Sequence, residues 1–140
     1  MKIPVRVQNK GRLMPNVLLT IRGSRNIIPF EAVIDTGSSD TILSYKDATS
    51  LQIPIVSMPV VKKIQGISSN KAGLCEYKKG LVLSLKKENG EFFSVKKETV
   101  YISKEKEGAN ISILGMDFLA ENNLQLFYDP HGEAYLQTKD

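Results

Sequence analysis

The chain has 140 residues, of which 41% are hydrophobic and 24% charged, and a net charge of +4. These values are typical of a single globular domain. No apolar run approaches the roughly 20 residues that span a bilayer, so we expect no membrane insertion by this chain.

The cysteine content bears on stability and on the cellular compartment. A chain of this size buries roughly two thirds of its unfolded surface, so it needs neither disulfides nor a structural metal. Cys75 is the only cysteine, which fits a reducing compartment. Residues 1–15 mix charged and polar side chains with isolated apolar ones and have no signal-peptide core. We therefore expect a cytoplasmic location.

The positive charge comes largely from lysine doublets, which are Lys62 and Lys63, Lys78 and Lys79, Lys86 and Lys87, and Lys96 and Lys97. Such doublets could bind nucleic acid, but they are also common at solvated strand ends and on edge strands, where their charge prevents pairing with other chains. Acidic residues are interspersed with them. The second interpretation is favoured, so we expect no nucleic-acid partner.

In chain order, short β-branched runs separated by turn residues predict a mostly β protein. The predicted strands are residues 17–21, 30–34, 59–64, 80–85, 91–95, 99–102 and 111–114. Only short segments have a pattern typical of helices. One helix is expected after Ser44, where Ser44 and Asp47 resemble a capping box, and another around residues 118–123.

Two hairpins are predicted from turn residues. Asn89 and Gly90 lie between two apolar strands and favour the positive backbone angles of a tight hairpin turn. The tail alternates apolar and polar residues over 124–128, turns at 129–132 and resumes over 134–137, as in a terminal hairpin. No repeat or long linker interrupts the chain, so we expect one domain over residues 1–140.

The first segment that indicates chemistry is an apolar strand, residues 30–34, which leads into Asp35, Thr36, Gly37 and Ser38. Gly37 lets the main chain approach the carboxylate, while Thr36 and Ser38 add hydroxyl groups. The alternative is a structural aspartate in a solvated turn. Asp-Thr-Gly recurs by chance, so the tripeptide alone does not decide between the two.

The second segment lies about eighty residues downstream, where Ile113, Leu114 and Gly115 precede the second predicted helix. Taken alone, it is a buried strand followed by a helix start. Together, the two segments resemble the retropepsin family of aspartic peptidases, in which an Asp-Thr-Gly-Ser turn is followed late in the chain by two apolar residues, a glycine and a helix. The resemblance runs from Val17 to the C-terminus and is strongest to cellular and prokaryotic members.

The resemblance implies a mostly β, retropepsin-like acid-protease half-barrel with one or two short helices, active as a C2 homodimer. It implies hydrolysis of peptide or protein substrates, without a cofactor, by two carboxylates that share one proton. This chain supplies one such aspartate, Asp35, because no other aspartate in the sequence is followed by Thr-Gly. A twofold dimer would place Asp35 of each chain beside the axis.

Other roles are implied by the same resemblance. Thr36 would bond across the dimer axis, and Gly37 would allow close packing of the loop. Ser38 could donate a hydrogen bond to the carboxylate, which favours its ionised form and an acidic working range. The terminal strands, residues 2–7 and 134–138, would join across the interface.

A family member also needs a flap, a hairpin that closes over the substrate. The candidate is residues 61–74, with Gly66, Ile67 and Ser68 at or near the tip. An ordinary exposed hairpin loop would have the same composition.

Two rival functions remain open. A thiol hydrolase would require Cys75 and His131, the only cysteine and histidine, to meet in space. We instead expect Cys75 to lie in a strand and His131 in a turn. A single cysteine and a single histidine also make a metal site improbable. The stronger rival is a retropepsin-fold dimer that binds peptide or protein without cutting it.

Overall fold

The computed structural model of the chain describes residues 1–65, 71–106 and 111–139. Its strands are β1 (Lys2–Pro4), β2 (Arg6–Asn9), β3 (Arg12–Arg22), β4 (Ile27–Ile34), β5 (Ile42–Leu43), β6 (Val60–Gln65), β7 (Lys71–Tyr77), β8 (Leu81–Lys86), β9 (Phe92–Lys97), β10 (Val100–Ser103), β11 (Ser112–Leu114), β12 (Leu124–Tyr128) and β13 (Ala134–Thr138). The helices are α1 (Tyr45–Ser50), α2 (Met116–Glu121) and a 3-10 turn, Ile55–Ser57. No helix among the described residues is long and apolar enough to cross a membrane.

The strands form two sheets. The larger follows the order β6-β7-β10-β5-β11-β4-β3-β8-β9, with β2 paired to β3, and the smaller follows the order β1-β13-β12. At the centre of the larger sheet, β11 runs parallel to β4, with Leu114 opposite Ile34. Because the strands are parallel, their carboxyl ends lie at the same edge, and the loops that leave them are neighbours.

One buried cluster of apolar side chains includes residues from both sheets and both helices. Its most deeply buried members include Ile3, Leu19, Ile21, Leu83, Leu114, Phe118 and Leu136. Leu114 and Phe118 belong to this cluster, so packing fixes both the strand and the helix on either side of Gly115. Close packing of this kind leaves little room for the connecting residue to move.

The predicted hairpin around Asn89 and Gly90 is confirmed, since β8 and β9 pair from Leu81–Lys97 to Lys86–Phe92. The turn is wider than the two-residue form. The amide of Lys87 donates to the carbonyl of Glu91 at 2.7 Å, and of the Asn-Gly pair Gly90 has the positive φ, 91°. Asn89 instead accepts a hydrogen bond from the amide of Glu91 through its side chain.

The sequence analysis expected one strand over residues 2–7, where the structure has two, β1 and β2. β2 pairs with β3 through a turn at Lys10 and Gly11, whose φ angles are 50° and 79°. Two consecutive positive φ angles give the turn geometry that matches strand twist. The mixed polar pattern hid this hairpin because β2 alternates between exposed and half-buried residues.

The terminal strands pair within the chain, where β1 runs antiparallel to β13 with Ile3 opposite Leu136. The expected joining of residues 2–7 and 134–138 across a dimer interface stays a prediction. Ile3 and Leu136 are both fully buried, so burial stabilises this pairing within one chain. Strands β1 and β12 are the edges of the small sheet.

Helix α1 begins where the sequence predicts. The hydroxyl of Ser44 accepts a hydrogen bond from the amide of Asp47 at 3.1 Å, as an N-cap should. The carboxylate of Asp47 does not complete the box, since it accepts a 2.6 Å hydrogen bond from the hydroxyl of Ser112 in β11. Burial raises the pKa of Asp47, and the hydrogen bonds from Ser112 and Ser44 oppose that rise.

Candidate active site

Asp35 lies immediately beyond the end of β4, beside the end of β11. Its amide donates a hydrogen bond to the carbonyl of Leu114 at 3.0 Å. The two segments that the sequence analysis singled out are therefore adjacent in space, although about eighty residues separate them in the chain. The parallel pairing of β4 with β11 produces this contact.

The turn after Asp35 is folded around its carboxylate. The amide of Gly37 donates to Oδ1 of Asp35 at 2.9 Å, and the amide of Ser38 donates to the Asp35 carbonyl at 3.1 Å. A Cβ atom on residue 37 would lie 3.2 Å from the same Oδ1, so a larger residue would have to displace the carboxylate slightly. Asp35 is half-buried, whereas Thr36 and Gly37 are exposed.

Ser38 does not have the hydrogen bond that the sequence analysis assigned to it. Its hydroxyl donates to the carbonyl of Asp40 at 2.8 Å rather than to the carboxylate of Asp35. A serine hydroxyl has one proton to donate, and here it is used for the carbonyl of Asp40. In this chain the hydroxyl of Ser38 stabilises the shape of the loop. It therefore gives no support to the acidic working range that was inferred from it.

Gly115 is the point of closest contact between the two segments. A Cβ atom on this residue would overlap the carbonyl group of Asp40 and would lie 2.9 Å from the carbonyl oxygen of Ser38. The first turn of α2 then holds the loop by main-chain bonds, from Met116 to Ser38 at 2.7 Å and from Asp117 to Ser39 at 3.3 Å. Ile113 and Leu114 form the strand that makes this approach possible.

A charged cluster lies behind the loop, and the sequence analysis did not find it. Lys97 was counted among the solvated doublets, but it is only 4% exposed. Its ammonium lies 2.9 Å from Asp117 and 3.0 Å from Glu121. Burial opposes charge on Lys97, but its hydrogen bonds to Asp117 and Glu121 outweigh burial and raise the pKa of Lys97.

Asp117 is the centre of this cluster. One carboxylate oxygen accepts from the hydroxyl of Thr41 at 2.8 Å, and the other pairs with Lys97. Burial opposes ionisation, but the hydrogen bonds from Lys97 and Thr41 outweigh it and lower the pKa of Asp117. No sequence signal could have indicated the cluster, because these residues are brought together only by the packing of α2 against the sheet.

The candidate flap segment includes a hairpin, formed by β6 and β7, with Lys63 opposite Gly73. Gly66, Ile67 and Ser68 lie outside the described residues. On β6, the ammonium of Lys62 pairs with the carboxylate of Asp40 in the Asp35 loop and lies 3.9 Å above the ring centre of Tyr101. These contacts join the hairpin to the loop.

The two residues of the rival thiol site lie in different surroundings. Cys75 is fully buried, within β7, where its sulfur lies 3.6 Å from the carbonyl oxygen of Met58. His131 is exposed in the turn between β12 and β13, and its amide donates to Asp129. This arrangement gives no support to a thiol hydrolase. Within the described ranges, no group of acidic, histidine or cysteine side chains could hold a metal ion.

The chain is similar to a known family and to solved structures of one fold. A family model described as aspartyl protease matches residues 17–118, a span that includes Asp35 and Gly115. A retropepsin-like aspartic protease from Rickettsia conorii is similar in structure, with a TM-score of 0.62, 17% identity, and coverage of 97% of this chain and 89% of its own. The sequence matched no curated protein.

A second similar structure is the retroviral protease-like domain of Ddi1 from Leishmania major. It gives a TM-score of 0.51 at 15% identity and covers 91% of this chain and 97% of its own. At such low identity these two likenesses concern the fold, and they confirm the predicted mostly β, retropepsin-like architecture. With the family match over most of the sequence, they show that the chain belongs to the aspartyl protease family and has a retropepsin-like fold.

Proposed function

We propose that the chain is an aspartic endopeptidase that works as a twofold-symmetric homodimer, with one Asp35 from each subunit. The observation that carries this proposal is the position of Asp35, which is half-buried and held by the amide of Gly37 where the two family segments meet. Half-burial leaves the carboxylate within reach of water and substrate.

The chemistry requires two such carboxylates. One, ionised, takes a proton from a water molecule that attacks the peptide carbonyl, while the other, protonated, donates to the carbonyl oxygen. Two like charges this close cannot both ionise cheaply, so the pair shares one proton. Each chain contains one Asp-Thr-Gly, and a second copy is the simplest source of the partner carboxylate.

The surface around Asp35 suits such a dimer. Thr36 and Gly37 are exposed in the isolated chain and are available to a symmetry-related loop. In this arrangement the hydroxyl of Thr36 bonds to the partner loop across the axis. β1 and β12 are the edge strands of the small sheet, and an edge strand can pair with a strand of another chain.

The substrate would be a peptide or protein lying between the dyad and the β6–β7 hairpin. In this proposal the hairpin is the flap, with Gly66, Ile67 and Ser68 at its tip. The pairing of Lys62 with Asp40 supports the assignment, since it connects the hairpin arm directly to the Asp35 loop. A cytoplasmic location agrees with the free thiol of Cys75.

The test is incubation of the purified chain with a mixed peptide library from acidic to neutral pH, with and without pepstatin. The proposal predicts cleavage that pepstatin abolishes. Binding of peptides without cleavage at any pH would contradict it and favour the non-catalytic binder. Cleavage that pepstatin leaves unchanged, but that a thiol reagent stops, would also contradict it.

A further inference from the structure

The charged cluster behind the loop is more deeply buried than the ordinary surface ion pairs of this chain. The side chain of Lys97 is 5% exposed, whereas that of its neighbour Lys96, which pairs with Glu98, is 60% exposed. Removing an ammonium group from water is unfavourable unless partners compensate for it. Lys97 has two carboxylate partners, so its position is fixed by them and fixes theirs in turn.

The cluster continues from Lys97 to the loop through hydrogen bonds. Asp117 uses one carboxylate oxygen for Lys97 and the other for the hydroxyl of Thr41. The Thr41 oxygen in turn accepts from the amide of Gly115 at 3.2 Å. Thr41 is 1% exposed, so water cannot easily replace either bond.

These contacts hold both ends of the segment that begins at Asp35. At its start, the amide of Asp35 is bonded to the carbonyl of Leu114. At its end, Thr41 is bonded to Asp117 and to the residue after Leu114, Gly115. Loss of the hydrogen bonds of Thr41 would therefore let the loop shift relative to the strand that supports Asp35.

We propose that Lys97 is a positioning residue for the catalytic loop, and that it orients Asp35 through Asp117 and Thr41. The inference rests on the proposed function, because a peptidase needs its carboxylate held in a productive geometry. A displacement of about 1 Å can cost on the order of a hundredfold in rate. Lys97 acts through other residues and does not touch the substrate.

The first experiment compares two adjacent lysines. Lys97→Met keeps most of the length of the side chain and removes its charge, while Lys96→Met is the matched control on the exposed face of the same strand. On a peptide that the wild-type enzyme cleaves, Lys97→Met should lower kcat at least about tenfold and leave KM within about twofold. Lys96→Met should change neither constant.

Lys97→Met leaves the carboxylates of Asp117 and Glu121 without their lysine partner and could prevent folding. A second pair of variants therefore tests the same series of contacts at Thr41. Thr41→Val removes the hydroxyl and keeps the shape, whereas Thr41→Ser keeps the hydroxyl. Thr41→Val should lower kcat as Lys97→Met does, and Thr41→Ser should restore most of it. Thermal unfolding measured alongside shows that each assay is run on folded protein.

Amide hydrogen exchange supplies a readout that does not depend on turnover. In Thr41→Val, the amide of Gly115 loses its acceptor, and exchange in residues 35–41 should accelerate relative to Thr41→Ser. If the wild-type chain cleaves no peptide, the proposed function is wrong. The exchange result still tests whether the hydrogen bonds of Thr41 hold residues 35–41 in place. Wild-type kcat in Thr41→Val, together with unchanged exchange in residues 35–41, would overturn the positioning role.

Discussion

The contacts that hold Asp35 directly come from the main chain around it. Gly37 donates to its carboxylate, and the bond from its amide to Leu114 fixes its backbone. The sequence predicted this arrangement as far as the small residues of the turn allow, since Gly37 was expected to bring the main chain close. The role of Ser38 was not predictable, because a serine hydroxyl can donate to any acceptor that it can reach, and here that acceptor is Asp40.

Replacement of the carboxylate tests its role at this scale. Asp35→Asn keeps the size of the side chain and removes the base that activates water, so peptide cleavage should fall at least about a hundredfold. Fold and dimerisation should be unchanged. His131→Ala and Cys75→Ser are the controls and should retain cleavage near the wild-type rate. Near wild-type turnover by Asp35→Asn would contradict the assignment.

The close contact at Gly115 predicts that a larger residue there lowers the stability of the chain. Gly115→Ala would drive a methyl group into the carbonyl of Asp40, a main-chain group that cannot move aside. We expect a loss of about 1–3 kcal/mol or more in the free energy of unfolding, measured by urea denaturation. Gly23→Ala is the matched control, because its methyl would meet Leu51 and Leu81 at an ordinary 3.8 Å. Equal stability of the two variants would show that the contact is not this tight.

At the scale of elements, the N-cap of α1 and the β8–β9 hairpin were predicted from local sequence patterns, whereas the β2–β3 hairpin was missed. The cap of α1 follows from Ser44 and Asp47, which are neighbours in sequence. Helix α2 begins at Met116, two residues before the predicted start, because main-chain bonds to Ser38 and Ser39 satisfy its first amides. Those acceptors lie in a distant loop, so no local pattern could indicate them.

The cluster of Lys97 and Asp117 predicts a pH dependence of stability. The pKa of Asp117 is lowered from its ordinary 3.8, so the stability it contributes is present above that value and is lost as the pH falls through the folded pKa. The pKa of Lys97 is raised from 10.5, so its contribution is present below that value and is lost only at higher pH.

The measurement is the free energy of unfolding of wild type and Asp117→Asn as a function of pH. The advantage of the wild type should shrink as the pH falls below 3.8. Asp47→Asn gives the opposite sign, because the raised pKa of Asp47 means that its contribution is present in acid and is lost as the pH rises. An advantage over Asp117→Asn that stays constant down to about pH 3 would contradict this account.

The proposed flap gives a prediction for the β6–β7 hairpin. If residues around Ile67 close over a bound inhibitor, their amide hydrogen exchange should slow when pepstatin is added, because main-chain bonds to the ligand protect them. The turn between β8 and β9 is the internal control and should not respond. Unchanged exchange around Ile67 in the inhibited complex would place the flap elsewhere in the chain.

At the scale of the whole molecule, the fold class followed from two short segments. The first, Asp35-Thr36-Gly37-Ser38, follows β4, and the second, Ile113-Leu114-Gly115, ends β11, the strand that pairs parallel with β4 at the centre of the larger sheet. The pairing of β1 with β13 in the same chain was not predicted. Strand pairing between the two ends of a chain depends on burial at Ile3 and Leu136, which the residue pattern of either strand alone does not specify.

The proposed dimer is the central claim, and subunit mixing tests it most directly. Wild-type chains are mixed one to one with Asp35→Asn chains, exchange is verified by mass spectrometry, and cleavage is compared with wild type diluted alone. Under random pairing, about one quarter of the dimers keep both carboxylates. Cleavage should therefore fall to about one quarter of that of an equal total concentration of wild-type chains. Cleavage that falls only to about one half, in proportion to dilution, would show that each chain works alone and would contradict a shared site.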